Sequence, residues 1–202
     1  MVEERGLQEQ LMTRRVELNQ ALRSLDSIWS EIEEAIVCLY VTLTSNKRVF
    51  VCGNGGSAAD AQHFAAELCG KFEVIGRRPL PVIALTCNTS ILTAVGNDFS
   101  FEEIFSKQIE AHAEEDDLVI GFTTSGQSKN VLNALRVAKD KKCSTICFTG
   151  RDMNNYVMRR CDHTIKVDSN KTAIIQDVHG FLIHYFCQII DTSKELNNAK
   201  LG

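Results

Sequence analysis

The pattern of apolar positions changes at about residue 48 and divides the chain into two parts. Over the first 45 or so residues, apolar side chains recur in alternating steps of four and three, as on one stripe of a helix. Such a stripe packs either on its own domain or in a helix bundle between subunits, and its narrow period favours the bundle. We therefore predict a helical oligomerisation segment over residues 1–47. The stripe consists of Leu18, Leu22, Leu25, Trp29, Ile32, Ile36 and Leu39.

Beyond residue 48, short apolar runs alternate with helical patterns. The runs are continuous or rich in β-branched residues, as in strands that are buried on both faces. In the helix predicted after Ser128, Val131, Leu135 and Ala138 share one face, and a last long helix should run from near Ala173 into the 190s. This alternation predicts an α/β domain over 48–202, with a doubly wound, flavodoxin-like, five-stranded parallel sheet. The strands are predicted at 49–52, 81–85, 118–122, 144–148 and 163–167.

Composition narrows the function classes. The 202 residues are 44% hydrophobic and 24% charged with a net charge of −4, and the absence of any basic run argues against nucleic-acid binding. The charged start MVEERGLQEQ does not resemble a signal peptide, and no run of about 18 apolar residues predicts a membrane span. We therefore expect a cytoplasmic protein. Its eight cysteines contain no CxxC pair and are expected to be reduced, mostly buried thiols.

Two loops are candidates for phosphate binding. Gly53-Asn54-Gly55-Gly56-Ser57 follows the first predicted strand, and Thr123-Thr124-Ser125-Gly126-Gln127-Ser128 follows the third. Each opens a helix, where free backbone amides and the helix dipole favour an anion. The alternatives are a plain turn for the first loop and hydroxyl capping of a helix for the second. One cap needs a single hydroxyl and the second loop offers four, so phosphate binding is the favoured interpretation.

The helix after the glycine loop carries His63 and Glu67, which lie one turn apart on one face and can share a divalent metal. A surface hydrogen-bonded pair is the simpler alternative. On the last helix, Gln176 and His184 are separated by roughly 80° around the axis, and His179 and His184 by roughly 140°. His179 is therefore expected to be structural, or to support a metal ligand without binding the ion itself.

Four stretches, in order, resemble the sugar isomerase (SIS) domain superfamily, and within it the phosphoheptose isomerases. They are CGNGGSAADAQHFAAEL at 52–68, TAVGNDFSFEEIFSKQ at 93–108, TTSGQS at 123–128 and TAIIQDVHGFLIH at 172–184. The resemblance implies a homotetramer with one zinc ion per subunit that isomerises sedoheptulose 7-phosphate to glycero-manno-heptose 7-phosphate. The product could feed lipopolysaccharide, another surface glycan or a secondary metabolite.

The resemblance also implies roles for individual residues. Some relatives have an acidic residue and an arginine where this chain has Ala173 and Ile174, so those side chains' role in orienting substrate does not carry over. The implied metal ligands are His63, Glu67, Gln176 and His184. The implied substrate contacts are Asn54, Gly55, Gly56, Glu67, Asn97, Asp98, Thr123, Thr124, Ser125, Ser128 and Gln176.

Moving a carbonyl between neighbouring carbons through an enediol(ate) needs a base within reach of the carbon acid. By analogy with triosephosphate isomerase, Glu67 is assigned as this base and His184 as its acid–base counterpart. Two alternatives lack catalysis. One is the SIS adaptor that binds the bacterial replication initiator protein, which is expected to lack the counterparts of Glu67 and His184. The other is a module that senses a sugar phosphate.

Overall fold

The computed structural model describes residues 4–152 and 160–198. Five parallel strands form one sheet in the order β2-β1-β3-β4-β5. This confirms the doubly wound, flavodoxin-like prediction, in which the strand order reverses beside β1 and leaves a crevice at the carboxyl ends of β1 and β3. The strands are β1 (Val49–Gly53), β2 (Val82–Ala84), β3 (Leu118–Thr123), β4 (Ser144–Thr149) and β5 (His163–Lys166).

Helices cover both faces of the sheet. Successive residues of β1 point to opposite sides, so that Val49 and Val51 join one core cluster while Phe50 and Cys52 join the other. The first cluster contains buried residues of α2, α3 and α7, and the second contains those of α5 and α6. The helices are α1 (Glu4–Arg23), α2 (Trp29–Thr44), α3 (Gly56–Cys69), α4 (Thr89–Asp98), α5 (Ser106–His112), α6 (Lys129–Asp140), α7 (Thr172–Asp191) and α8 (Lys194–Asn198).

The N-terminal segment departs from its prediction in two ways. The helix is broken by a 3₁₀ turn at Ser24–Ile28, and most of the apolar stripe packs inside its own chain. Leu25, Ile32, Ile36 and Leu39 are buried in the core of their own chain, which is the alternative interpretation of the stripe. A stripe of this spacing suits the core of its own domain as well as a partner helix, and here α7 and the sheet cover it. Only Trp29, 48% exposed, points away from the core.

The apolar character of α7 is that of a core helix. By length and hydropathy α7 would pass as a membrane span, with a mean hydropathy of 1.2 over its most apolar window. Ten of its residues are nevertheless buried in the chain, and they line the face of the sheet that α3 also covers. Ile174 is one of them, whereas Ala173 is exposed. The isoleucine that replaces the arginine of some relatives therefore serves packing.

None of the eight cysteines, all of which lie within the described residues, forms a disulfide bond, as expected for reduced thiols. Cys52, Cys143, Cys147 and Cys187 are buried and behave as small core hydrophobes. Burial raises the pKa of the Cys52 thiol to about 12, so this thiol is protonated and unreactive at neutral pH.

Candidate functional site

The glycine loop between β1 and α3 needs its glycines for different reasons. A Cβ atom on Gly53 would collide with the backbone carbonyl of Ser57, and one on Gly56 would collide with the amide of Gln176. Gly55 has φ +57°, the left-handed region that favours glycine. α3 then begins without a side-chain cap, and the backbone N–H groups of Ser57, Ala58 and Ala59 donate to the carbonyls of Asn54 and Gly55. The contact at Gly56 also brings Gln176 of α7 to this loop.

An amide pair joins the two candidate loops. Asn54 and Asn130 each donate Nδ2–H to the other's Oδ1, both at 2.8 Å. The Oδ1 atom of Asn130 also accepts the backbone N–H of Val131 at 2.9 Å, which fixes which end of this amide is oxygen. Asn130 is buried, and the sequence analysis did not identify it. The one signal in the sequence was its position just after the serine-rich loop. It holds Asn54 at the crevice with one N–H and one lone pair to spare.

The serine-rich loop is ordered by its own hydroxyls. Thr123 donates to the Oγ of Ser128 at 3.1 Å, and the Oγ of Ser125 accepts the backbone N–H of Gln127 at 3.2 Å. Ser128 precedes α6 but makes no side-chain capping bond, so the capping alternative is wrong for this residue. Thr124 accepts the backbone N–H of Gly150 at 3.2 Å through its carbonyl. The loop thus places several hydroxyl groups directly before a helix without a side-chain cap, an arrangement that suits an anion.

Three of the four residues implied as metal ligands lie together. His63 Nε2 is 3.2 Å from Glu67 Oε1 and 3.2 Å from His184 Nε2, and the two imidazole rings meet edge to face at 4.9 Å. In the described parts of the chain, no group of three His, Cys, Asp or Glu side chains converges on one ion-sized point. The contacts run pairwise through His63. Imidazole nitrogen and carboxylate oxygen are donor types that zinc accepts, and each of the two contacts is close to the roughly 3.3 Å edge between two ligands of a tetrahedral ion bound at about 2.0–2.1 Å.

Asn97 and Asp98 are paired with each other. Asn97 donates to Asp98 Oδ1 at 2.8 Å at the end of α4, and both side chains are exposed. Within residues 4–152 and 160–198, no hydrogen bond links either of them to the two loops or to His63. Their role as substrate contacts therefore stays a prediction.

His179 belongs to the core. Its ring is fully buried between the rings of Phe122 and Phe148, at 5.6 and 5.8 Å. Burial lowers the pKa of His179 to about 4, while the backbone of Thr149 opposes this only in part. A histidine that is neutral and enclosed at neutral pH cannot exchange protons with a substrate, which agrees with the structural role expected from its position on α7.

Asp60 is a carboxyl group of α3 that the sequence did not single out. It lies one turn before His63, and its Oδ2 is buried without a hydrogen-bond partner among the described residues. Burial raises the pKa of Asp60 to about 6, and the nearby His63 opposes this shift. The sequence did contain a signal for Asp60. It lies three positions before His63, and residues three or four positions apart share one face of a helix, as His63 and Glu67 do.

Comparison with known proteins places this arrangement in a family. The model of the SIS domain matches residues 16–150. The chain is 48% identical over 167 residues to the phosphoheptose isomerase of Aliarcobacter butzleri. The aligned region covers 83% of this chain and 87% of that one. It is 46% identical over 177 residues to the probable phosphoheptose isomerase of Thermoplasma acidophilum, covering 88% and 92%.

Solved structures agree with the sequence comparison. Phosphoheptose isomerase GmhA from Neisseria gonorrhoeae superposes with a TM-score of 0.85 at 37% identity, covering 93% of this chain and all of that one. A phosphoheptose isomerase from Francisella tularensis superposes with a TM-score of 0.86 at 34% identity, covering 96% of this chain and all of that one.

Proposed function

The chain belongs to the SIS domain family, among its phosphoheptose isomerases, and from this premise we propose that it converts sedoheptulose 7-phosphate to glycero-manno-heptose 7-phosphate. The observation that carries the proposal is that Glu67 and His184, from different helices, both lie within contact distance of His63 beside two anion-type loops. The same pairing disfavours a replication adaptor or a sensor, which needs a phosphate cradle but no base. We further propose that the enzyme works in the cytoplasm.

Each part of the crevice has a task in this reaction. The serine-rich loop holds the phosphate by hydrogen bonds, and Asn54 orients the sugar chain through the polar groups that Asn130 leaves it. Glu67 removes the proton from C1 of the ketose and returns it to C2 through the enediol(ate). His184 exchanges protons with the oxygens on these carbons, because the carbonyl oxygen must gain a proton as the neighbouring hydroxyl loses one.

NMR of sedoheptulose 7-phosphate incubated with the protein in D₂O tests the function directly. We expect an aldose product with deuterium at C2, because the transferred proton exchanges with solvent at the carboxyl group. A protein that binds the sugar phosphate but leaves its spectrum unchanged would be an adaptor or sensor, and the isomerase proposal would be wrong.

One zinc ion per subunit is part of the proposal. His63, Glu67 and His184 would hold it with Gln176, and imidazole and carboxylate ligands suit zinc better than magnesium. When bound, such an ion supplies a Lewis acid for the enediolate oxygen. Glu67 would then be both a ligand and the base, and zinc would lower the basicity of its carboxylate.

Zinc removal is expected to depress activity. Protein purified without added metal should contain zinc by elemental analysis, and dialysis against a chelator should lower turnover until zinc is restored. The His63→Ala variant should contain less zinc than the wild type, whereas a change at the exposed His112, on α5, should not alter the content. Full activity in a zinc-free preparation would contradict a catalytic metal.

Loss of one hydroxyl from the phosphate loop should weaken binding. In Ser125→Ala, one hydrogen bond to a charged group is lost, which is worth about 1.5–3 kcal/mol or roughly ten- to a hundredfold in affinity. Calorimetric titration with the phosphorylated substrate measures this, with Ser27→Ala in the N-terminal turn as a matched control. Unchanged affinity in Ser125→Ala would move the phosphate site towards the glycine loop.

We propose a homotetramer, and an exposed aromatic face supports it. Trp29 and Phe181 are 48% and 52% exposed and line a groove of about 310 Å³ together with Leu22, Leu25 and Tyr185. Aromatic side chains that bury large areas are typical anchors of subunit interfaces. Leu25 lies in the core, so a charge there would disturb folding as well as assembly.

Trp29→Asp should therefore shift the protein to smaller species in light scattering. A buried apolar side chain contributes roughly 1.5–3 kcal/mol, and a carboxylate in its place opposes association. Val37→Asp, at a residue of α2 that is 54% exposed and does not line the groove, provides the control. If Trp29→Asp keeps the mass of the wild type, this face is not the interface.

A further inference from the structure

A buried ion pair lies where the loop after α3 meets the end of α7. The guanidinium of Arg77 is inaccessible to solvent and donates from Nε to Asp191 Oδ1 at 2.5 Å. Its Nη1 donates to the carbonyl of Leu68 at 2.7 Å, and its Nη2 to the carbonyl of Glu67 at 2.8 Å. These carbonyls belong to the last turn of α3, so one side chain closes this helix and ties it to the last residue of α7.

The second carboxylate oxygen of Asp191 holds the loop itself. Oδ2 accepts the backbone N–H groups of Glu73 and Val74, both at 2.9 Å. A buried ion pair persists only when its charges are paired and its remaining hydrogen-bonding positions are filled, and both conditions are met here. The loop backbone next to Phe72 is consequently fixed from inside the protein.

Phe72 lies on the imidazole of His184. The two ring centroids are 5.8 Å apart and the ring planes are inclined by 27°, which is a stacked arrangement. The edge-to-face contact with His63 is at 4.9 Å. His184 is otherwise an exposed side chain on α7, and its ring would be free to rotate about χ2. The stack restricts the plane of the ring, and the contact between His184 Nε2 and His63 Nε2 at 3.2 Å selects the orientation within that plane.

We propose that Phe72 is a positioning residue for His184, and that the Arg77–Asp191 ion pair holds Phe72 in place. The inference rests on the isomerase function for its catalytic consequence, but the ring contact is independent of it. Phe72 touches no reacting atom. It acts by keeping the imidazole in the orientation from which His184 reaches the substrate, and a displacement of this group is costly because catalysis depends on alignment.

The ring contact is tested by NMR of the full-length protein labelled in its histidine rings. His184 signals are assigned by their loss in His184→Gln. Because a stacked aromatic ring shields its neighbour, Phe72→Leu should move the His184 ring protons downfield, while Phe72→Tyr should keep them near their wild-type positions. Ile75→Ala, at a residue of the same loop that is 84% exposed, is the control and should move nothing.

Turnover measurements test the consequence. In Phe72→Leu, kcat for sedoheptulose 7-phosphate should fall about ten- to a hundredfold with little change in KM, and Phe72→Tyr should restore most of it. Unchanged His184 signals in Phe72→Leu would overturn the proposal, as would a kcat equal to that of the Ile75→Ala control. If the wild type itself lacks isomerase activity, the proposed function fails, while the NMR result still decides whether Phe72 positions His184.

The contribution of the ion pair is tested separately with Asp191→Asn. Asparagine keeps one acceptor but removes the charge that Arg77 needs, so the loop should loosen and the His184 signals should move in the same direction as in Phe72→Leu. A folded Asp191→Asn variant with wild-type His184 signals would remove the ion pair from the proposal. If Asp191→Asn does not fold, the Phe72 variants still decide the main point.

Discussion

Replacing Glu67 with glutamine should lower the turnover of sedoheptulose 7-phosphate by about a hundred- to ten-thousandfold, the range typical of a lost general base. Glutamine keeps the shape of the side chain and an oxygen that can stay near His63 Nε2, where Glu67 Oε1 lies at 3.2 Å. It cannot accept a proton from carbon at neutral pH. The affinity for substrate should change little, because the phosphate loop and Asn54 belong to other elements.

Substrate affinity and zinc content, measured beside turnover, separate the two roles of Glu67. If Glu67→Gln removes only the base and leaves the site intact, turnover should be slow while substrate affinity and zinc content stay normal. A parallel fall in turnover, affinity and zinc would make Glu67 a ligand only. Turnover close to that of the wild type in Glu67→Gln would defeat the assignment of the base outright. Glu33→Gln, an exposed change on α2, controls for the loss of one negative charge.

The sheet was predictable because its sequence signal is strong and local. Runs such as Val49–Cys52 and Leu118–Phe122 are apolar throughout, and a strand covered on both faces admits no other pattern. Their alternation with helices then restricts the topology to a few parallel arrangements. The helix after Ser128 was equally clear, since Val131, Leu135 and Ala138 all lie on its buried side.

The N-terminal segment was predicted less well because spacing identifies a face of a helix but not what covers it. Ile32 and Leu39 are buried by their own chain, although the same stripe would suit a partner helix. The 3₁₀ turn at Ser24–Ile28 contains neither glycine nor proline, the residues that would indicate a break in the helix. Tertiary packing, which a single sequence does not contain, decides both points.

The functional site likewise contains some contacts that the sequence predicts and others that depend on tertiary packing. The contact between His63 and Glu67 follows from their spacing of four on one helix, and both loops were visible from their glycines and hydroxyls. The pairs Asn54–Asn130 and Phe72–His184 join residues 76 and 112 positions apart, and no local pattern predicts such contacts. Asp60 lay within reach of a spacing argument, but its raised pKa depends on burial that only the fold provides.

Replacing His184 with glutamine should lower turnover by a factor similar to that of Glu67→Gln, since each residue serves the same proton-transfer sequence from a different helix. His184 Nε2 faces His63 Nε2 at 3.2 Å, and glutamine retains a polar group at this position but has no imidazole to accept and donate a proton. Substrate affinity should again survive, because His184 lies outside the loops that hold the phosphate.

The double variant is the sharper measurement. If Glu67 and His184 act as a unit on one intermediate, Glu67→Gln combined with His184→Gln should be little slower than either single variant, because once one partner is lost the other has no productive step to assist. Two independent contributions would instead multiply, and the double variant would lose the product of the two single factors. A multiplied loss would therefore separate the two residues into different steps. If thermal stability and zinc content fall together in all three variants, both side chains are structural ligands, and Asp60 and Asp98 become the next candidates for the base.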